Sequence, residues 1–249
     1  MLQIRGLVKR FGGVLASDGI SLDVPAGQLH AIIGPNGAGK STLIGQLAGE
    51  ISPDGGQIMF NGRDVTRLAM HRRSKLGLAR TFQITSLFHD FTVLDNVALA
   101  VQAHAGHSFR FWRPARREAQ LREPALAALA RVGLESRAKV ICANLSHGEH
   151  RQLEIAMALA TAPRMLLLDE PMAGMGPDES TRMIMLLGEL KREQTILLIE
   201  HDMDAVFRLA DRITVLVNGR VIASGSPDDV RADAEVRRAY LGEQKVRHG

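Results

Sequence analysis

One stretch, Gly-Pro-Asn-Gly-Ala-Gly-Lys-Ser-Thr at positions 34–42, limits what this chain can fold into more than any other feature. It has the form G-x-x-x-x-G-K-[ST] of a phosphate-binding loop. The apolar run at 29–33 before it predicts a buried strand, and residues 41–49 after it predict a helix. In that setting the glycines let backbone N–H groups turn toward phosphate oxygens, and the helix N-terminus adds a favourable dipole end. The stretch therefore predicts a nucleoside triphosphate site.

Every residue of this loop is a candidate for nucleotide binding. Lys40 is expected to reach the β- and γ-phosphates, and Ser41 is expected to bind Mg²⁺. The alternative is an ordinary glycine-rich turn with a surface lysine, and the flanking strand and helix argue against it. The candidates are Gly34, Pro35, Asn36, Gly37, Ala38, Gly39, Lys40, Ser41 and Thr42.

Composition places the chain in a broad class. Its 249 residues, 45% of them hydrophobic, suit one α/β domain or a core with a lobe inserted in it. The single cysteine, Cys142, excludes an internal disulfide, and a small buried residue is its simplest interpretation. No apolar run is long enough to span a membrane and no secretory signal is evident, so we expect a cytosolic protein, or one held at a membrane by partners. The net charge of +4 is compatible with nucleic acid, an anionic membrane surface or nucleotide, and does not choose among them.

Hydrophobic patterns predict a mostly parallel sheet covered on both faces, with an antiparallel β edge. Buried strands are expected at 165–168 and 195–199, separated by a helix at 177–192. Asn61-Gly62 and Asn218-Gly219 each follow an apolar run, which is typical of a hairpin.

The composition changes between residues 85 and 145, where alanine, leucine and arginine dominate. Helical periodicity covers 92–105 and 115–132, and Pro114 and Pro124 are expected to limit where these helices begin. We therefore expect a single α/β domain over residues 1–249, with 85–145 as an inserted helical lobe.

Two carboxylates at a strand end form the second nucleotide signal. Asp169 and Glu170 follow the apolar run Leu166-Leu167-Leu168. Beside a phosphate loop, the first carboxylate is placed to bind Mg²⁺ and the second to orient or deprotonate the water that attacks the γ-phosphate. His201 also follows an apolar strand, which predicts an imidazole near the γ-phosphate, although a lone histidine is more often a satisfied surface or core residue.

Two further signals are weaker. Gln83 ends the segment Leu78–Phe82 and could bring an amide to Mg²⁺ or to the attacking water. Ser146 and the backbone of Gly148 lie at a predicted helix start, where donors face an anion. From the residues alone, a simple capping box between Ser146 and Glu149 is the favoured interpretation.

These motifs, in this order and spacing, resemble the ATP-binding-cassette ATPases. The resemblance rests on GPNGAGKST, Gln83, LSHGE, LLLDE and His201, and it covers residues 2–242. It implies a phosphate-loop ATPase core with ATP and Mg²⁺ as cofactors, an antiparallel β subdomain and an inserted helical subdomain. More closely, the chain resembles the ATPase subunits of branched-chain amino acid-type importers, in LARTFQITSLF, in EIAMALATAPRMLLLDEPMAGMGPDES, in TILLIEHDMDAVFRLADRITVLVNGRVIASGSP and in AYLGE.

The family assigns roles that the residues alone leave open. It implies that two cassettes pair head to tail, so that Ser146 and Gly148 close over the ATP held by the partner's loop. It also implies that Phe11 stacks on adenine, that Gln83 senses a membrane subunit, and that His201 holds the γ-phosphate. The implied partners are a second cassette, two permeases and, indirectly, a periplasmic binding protein, with the cassette peripheral on the cytoplasmic face of the inner membrane.

The chain departs from the family pattern at three positions. His147 replaces the first glycine of the usual signature, and Glu149 replaces its glutamine. Gly176 stands where many cassettes have an aspartate, which puts the usual communication between paired sites in doubt.

Two rival functions remain at this point. One is an export-type cassette similar to the lipopolysaccharide-export ATPases. The other is a soluble cassette acting on DNA or ribosomes, supported only by the basic-aromatic run at 109–117, for which a solvated loop is an equally good explanation. The transporter interpretation predicts no specific nucleic-acid partner. His104 and His107 lie near this run, without a further ligand cluster that would predict a metal site there.

Overall fold

The computed structural model describes residues 1–81, 87–105 and 119–244. The strands, in chain order, are β1 (Leu2–Phe11), β2 (Val14–Val24), β3 (Leu29–Ile33), β4 (Gly55–Phe60), β5 (Arg63–Asp64), β6 (Leu78–Arg80), β7 (Met165–Asp169), β8 (Thr195–Ile199), β9 (Arg212–Val217) and β10 (Arg220–Gly225). The helices are α1 (Lys40–Ala48), α2 (Met70–Lys75), α3 (Val93–Ala105), α4 (Ala119–Arg131), α5 (His147–Leu159), α6 (Pro177–Leu190), α7 (Met203–Leu209), α8 (Pro227–Ala232) and α9 (Ala234–Gln244).

The main sheet has six strands in the order β10-β9-β3-β8-β7-β6. Its pairs are parallel except β9 with β10, which form the predicted hairpin. Every residue of β3, β7 and β8 is buried, as their continuous apolar runs require in a sheet covered on both faces. The prediction of a mostly parallel α/β sheet is confirmed.

Alternate side chains along these strands enter two separate hydrophobic clusters. Leu166 and Leu168 of β7 pack in a cluster with residues of α3 to α7, whereas Leu167 packs on the opposite face in a cluster with α1 and β1. This alternation follows from the period of two along a strand. The sheet is thereby fixed between two layers, and its strand ends are held in place.

A second, antiparallel sheet has the order β2-β1-β4-β5. The antiparallel edge that the sequence predicts is thus a sheet of its own, packed over α1 through Ile4 and Leu7. The first strand of the chain has shifts of register beside Gly6, whose φ of 56° suits a glycine. This irregularity interrupts the alternation of buried and exposed side chains by which β1 would be predicted from the sequence.

The described helices of the predicted lobe, α3 and α4, pack against each other and against α5. The expectation that Pro124 limits a helix start is wrong, because Pro124 lies inside α4. Its ring is on the exposed side of the helix, where water can satisfy the carbonyl group that loses its N–H partner. The lobe boundaries at 85 and 145 stay a prediction, and residues 85–86 and 106–118 lie outside the described part of the chain.

The carboxyl ends of parallel neighbours meet at one edge of the main sheet. The loop after β3 is the phosphate loop, β7 ends in Asp169, and β8 leads into Glu200 and His201. Since β8 lies between β3 and β7, the sheet order brings the three predicted motifs to adjacent positions.

Candidate nucleotide site

The phosphate loop curves around a depression of about 370 Å³ at the N-terminus of α1. Gly39 precedes the helix with a φ of 100°, and a Cβ there would lie 2.2 Å from the carbonyl oxygen of Ala16. A Cβ at Gly34 would lie 2.1 Å from the carbonyl oxygen of Leu216. Both positions therefore require glycine, because the backbone of Ala16 or Leu216 fills the space that a side chain would need. This explains why the first and third glycines of the motif stand where they do. The depression is lined by Val14, Leu15, Ala16, Asn36, Gly37, Ala38, Gly39, Lys40, Ser41, Thr42, Glu170 and Asn218.

Lys40 points its ammonium group into the loop. The Nζ atom donates to the carbonyl oxygen of Gly34 at 2.6 Å and to that of Pro35 at 3.0 Å, and the residue is only 7% exposed. A buried cation held by carbonyl groups beside inward-facing amides is suited to bind phosphate oxygens.

Asp169 ends β7 as a buried carboxylate with one occupied oxygen. Its Oδ2 accepts from Nη2 of Arg80 at 2.8 Å, and Arg80 also pairs with Glu50 on the side of α1. Burial raises the pKa of the Asp169 carboxyl above its ordinary value, and the charge and hydrogen bond of Arg80 oppose that shift.

The second oxygen of Asp169 bears on the Mg²⁺ prediction. Oδ1 is buried and accepts no hydrogen bond from the described residues. Helix α1 packs against β7 and presents Ser41, which is exposed, in its first turn. A hydroxyl and a carboxylate oxygen are hard donors of the kind that Mg²⁺ prefers, so these residues fit the ion. Gln83, the third predicted ligand, lies outside the described residues.

Glu170 lines the same depression as the phosphate loop. Its backbone has a φ of 49°, which is unusual for a residue with a side chain, and its N–H donates to the carbonyl oxygen of Ile199 at 2.9 Å. The chain therefore turns sharply after Asp169, so that one carboxylate stays buried while the next, 36% exposed, faces the depression. The carboxylate of Asp169 is therefore shielded from solvent, whereas that of Glu170 is accessible to water.

His201 lies at the same edge, with its ring 60% exposed. Its Nδ1 is 4.0 Å from Oε2 of Glu170 and 3.7 Å from Oε2 of Glu200. The structure thus brings His201 and Glu170 together at one edge of the sheet, and the predicted contact of His201 with the γ-phosphate stays a prediction.

Glu200, which the sequence analysis did not single out, joins two loops of the site. The side chain is fully buried, and its Oε1 accepts from the backbone N–H of Met172 at 3.0 Å. Its Oε2 accepts from the N–H groups of His201 at 3.0 Å and Asp202 at 3.4 Å. Burial raises the pKa of this carboxyl, and the three backbone donors oppose the shift. The carboxylate therefore fixes the segment after Glu170 relative to the segment that carries His201.

We expect Glu200→Gln to lower the ATP turnover number about tenfold while changing ATP affinity less than about twofold. The amide group turns an NH₂ toward backbone N–H donors and leaves at least one of them unsatisfied, which costs on the order of 1–3 kcal/mol and loosens both loops. Steady-state hydrolysis and titration with a fluorescent ATP analogue separate the two effects.

Glu154→Gln is the matched control for this variant. Glu154 is also buried with a raised pKa, caused first by burial, but its ion-pair partner Arg151 lies on the same helix. A Glu200→Gln protein as active as the Glu154→Gln protein would show that Glu200 does not position the site.

Ser146 and Gly148 lie at the N-terminus of α5, away from the phosphate-loop depression. Ser146 forms the capping box, since its Oγ accepts from the N–H of Glu149 at 3.2 Å and Oε2 of Glu149 accepts from the N–H of Ser146 at 2.8 Å. The hydroxyl hydrogen of Ser146 is not used by this cap. The N–H of Gly148 donates to Oε1 of Glu179 at 3.3 Å. This carboxylate oxygen therefore lies at the helix N-terminus, where an anion such as phosphate would bind.

The departures from the family pattern have local explanations. His147 donates from Nε2 to the carbonyl oxygen of Ala173 at 3.0 Å, and thus ties the start of α5 to the loop after Glu170. Glu149 completes the cap and pairs with Arg137 at 2.9 Å. Gly176 directly precedes α6, and its N–H donates to Oε2 of Glu179 at 3.5 Å.

Phe11 ends β1 and is 49% exposed, with Nζ of Lys9 at 5.3 Å from the ring centroid. It does not line the depression, whereas its register partner Val14 does. Its predicted contact with adenine stays a prediction. The basic-aromatic run at 109–117 lies outside the described residues.

Arg80 and Glu200 are the functional candidates that the sequence analysis missed. A signal existed for each, because both are charged residues at or directly after an apolar strand. Only the order of the strands shows that Arg80 reaches Asp169 and that Glu200 reaches the N–H of Met172.

Two family models match the chain. One described as an ABC transporter covers residues 17–173, and one described as a branched-chain amino acid ATP-binding cassette transporter covers residues 220–246. The chain is 40% identical over 98% of both chains to the high-affinity branched-chain amino acid transport ATP-binding protein BraF of Pseudomonas aeruginosa. It has the same identity and coverage with the LivG protein of Escherichia coli K12, which has the same description.

A solved structure agrees with these matches. The chain superposes on the ADP conformation of MJ1267, an ATP-binding cassette of an ABC transporter, with a TM-score of 0.86 and 33% identity. The superposition covers 97% of this chain and 98% of the other.

Proposed function

The chain belongs to the ABC transporter family of ATP-binding, ATP-hydrolysing proteins, and from this premise we propose that it powers an importer of branched-chain amino acids or related small polar solutes. The observation that carries the importer assignment is the match of residues 220–246 to the branched-chain amino acid model. That segment lies outside the general ABC match at 17–173, and so it supports the importer branch independently of the shared nucleotide motifs. It favours an importer over an export-type cassette.

The proposed mechanism assigns each group at the sheet edge a role in hydrolysis. Lys40 and the loop amides hold the β- and γ-phosphates of ATP. Ser41, Asp169 and Gln83 would hold Mg²⁺, which would neutralise the charge that develops on the phosphates. Glu170 accepts a proton from the attacking water or orients it, and His201 donates to the γ-phosphate. The observed separation of buried Asp169 from accessible Glu170 supports this division of roles.

The proposed active unit is a pair of cassettes. Ser146 and Gly148 line a different depression from that of the chain's own phosphate loop. This supports a pairing in which a second subunit brings an equivalent helix start to the phosphate-loop depression. The hydroxyl of Ser146 and the N–H of Gly148 would then donate to the partner's γ-phosphate, with the carboxylate of Glu179 giving up its contact to Gly148.

The proposed location is the cytoplasmic face of the inner membrane, through two permease subunits that receive solute from a periplasmic binding protein. No helix in the described ranges is long and apolar enough to cross a membrane. Gln83 would contact a permease, and no specific nucleic-acid partner is proposed.

Permease coupling is the test of this function. We expect reconstituted cognate permeases in a bilayer to stimulate hydrolysis by the wild-type chain, and Gln83→Ala to weaken that stimulation more than it weakens ATP binding. Loading the binding protein with leucine, urea, a short amide or an aromatic acid identifies the solute, since only the correct one adds stimulation.

The soluble alternative gives the opposite result in the same assay. Arginines of the 109–117 run could give weak DNA binding that falls steeply between low and physiological salt, because such binding depends on counterion release. Strong stimulation of hydrolysis by DNA or ribosomes, with none by permeases, would reject the transporter assignment.

A further inference from the structure

Three side chains of types that can bind a metal come together outside the set of residues that lines the nucleotide depression. His89, Cys142 and His150 each offer one ligand atom, and these three atoms all lie within 4.8 Å of one another. His89 is exposed, His150 is half-buried and Cys142 is fully buried. The cluster therefore runs from the surface inward.

Backbone pairing holds two of these residues in register. The N–H of Cys142 donates to the carbonyl oxygen of Phe91 at 2.8 Å, and the N–H of Ala143 donates to that of His89 at 3.0 Å. An antiparallel bridge between Thr92 and Ile141 continues the pairing. The third residue, His150, lies in the first turns of α5. The cluster thus rests on a paired backbone and a helix, which can hold ligands in a defined geometry.

The hydrogen bonding of His150 defines its tautomer. Its Nε2 lies 2.9 Å from the carbonyl oxygen of Cys142. A carbonyl oxygen only accepts, so Nε2 carries a hydrogen, and Nδ1 is the ring nitrogen left to bind a metal when the ring is neutral. Metal-binding histidines typically make such a bond from their other ring nitrogen to a backbone carbonyl group, which orients the ring. The rings of His89 and His150 meet edge to face, with centroids 5.9 Å apart.

We propose that His89, Cys142 and His150 form a binding site for a divalent ion of the zinc type, with water as the fourth ligand. Two imidazoles and a thiolate favour Zn²⁺ over Mg²⁺ or Ca²⁺. Bonds of about 2.0–2.3 Å place tetrahedral donors roughly 3.5 Å apart, so the ion draws the three side chains together by small rotations. On binding, the thiol of Cys142 loses its proton to solvent and its sulfur bonds to the metal.

This site is distinct from the proposed Mg²⁺ site and independent of the transport assignment. It connects the segment before α3 to the helix that begins beside Ser146 and Gly148. A bound ion cross-links these two segments and should stabilise the folded chain.

Cobalt(II) provides a specific test, because Cys142 is the only cysteine in the chain. Co²⁺ added to the full-length, reduced protein should produce a thiolate-to-cobalt charge-transfer band in the near ultraviolet, and Zn²⁺ should displace it. Any such band must come from Cys142, whereas Co²⁺ at the nucleotide site has oxygen ligands and gives no thiolate band. Cys142→Ala should abolish the band.

The histidine variants distinguish a three-ligand metal site from binding of Co²⁺ by the cysteine thiol alone. His89→Ala and His150→Ala should each weaken Co²⁺ binding at least about tenfold. The control His71→Ala removes an exposed histidine on α2 and should leave the affinity unchanged. His89 is exposed, so its variant should fold even if Cys142→Ala does not. Absence of the band in the wild-type protein, or equal Co²⁺ affinity in His89→Ala and His71→Ala, would overturn the proposal.

Discussion

Glu170→Gln is expected to bind ATP with normal affinity and to hydrolyse it at least about a hundredfold more slowly, which is the usual contribution of a positioned general base. The residue lines the same depression as the phosphate loop, and its carboxylate is partly exposed, as a group that acts on a water molecule must be. The amide has nearly the same shape and should leave the sharp turn at φ 49° intact. The loss should therefore appear in the turnover number, measured by phosphate release at saturating ATP.

The same substitution should also trap a paired state. If hydrolysis separates the two cassettes, Glu170→Gln should elute as a dimer on size-exclusion chromatography with ATP and Mg²⁺, and as a monomer with ADP. Glu193→Gln is the control, because Glu193 is an exposed glutamate paired with Arg131, and it precedes β8 whereas the site lies at the carboxyl end of that strand. Near-normal hydrolysis by Glu170→Gln would remove this residue from the proposed role.

The sequence predicts those parts of the site that depend on residues close together in the chain. The phosphate loop is recognisable because Gly34 and Gly39 have no room for a Cβ, and the central strands because both of their faces are buried. Asp169, Glu170 and His201 follow from the same rule, since each lies at the end of such a strand or within two residues after it.

The parts that the sequence does not predict depend on which strands become neighbours. Arg80 meets Asp169 only because β6 lies beside β7, and Glu200 reaches the N–H of Met172 only because β8 lies on the other side of β7. The same holds for Cys142 and His89, whose proximity comes from pairing between segments about fifty residues apart. Long-range contacts of this kind leave no periodic pattern in either segment.

Ser146→Arg is expected to leave the ATP affinity of an isolated monomer nearly unchanged and to abolish dimer-dependent hydrolysis. In the proposed pair, this position faces the Lys40 and the loop amides of the partner. An arginine there would place a large cation against phosphate-binding donors with no carboxylate to pair with, which costs several kcal/mol when buried. In the Glu170→Gln background, the added Ser146→Arg change should eliminate the ATP-dependent dimer.

A matched control is needed because Ser146 also caps α5, and loss of a serine cap alone costs about 0.5–2 kcal/mol. Ser226 makes the same capping box at the start of α8, where its Oγ accepts from the N–H of Asp229 at 3.2 Å and Oδ2 of Asp229 accepts from the N–H of Ser226 at 3.0 Å. Ser226→Arg should therefore lose comparable stability, measured by urea unfolding, and still form the ATP-dependent dimer.

If Ser146→Arg and Ser226→Arg lose the ATP-dependent dimer equally, the loss of pairing comes from the lost helix cap and not from a contact with the partner's ATP. A collapse of monomer ATP affinity in Ser146→Arg alone would show that the start of α5 acts on the ATP bound by its own chain, and pairing across two subunits would then be rejected.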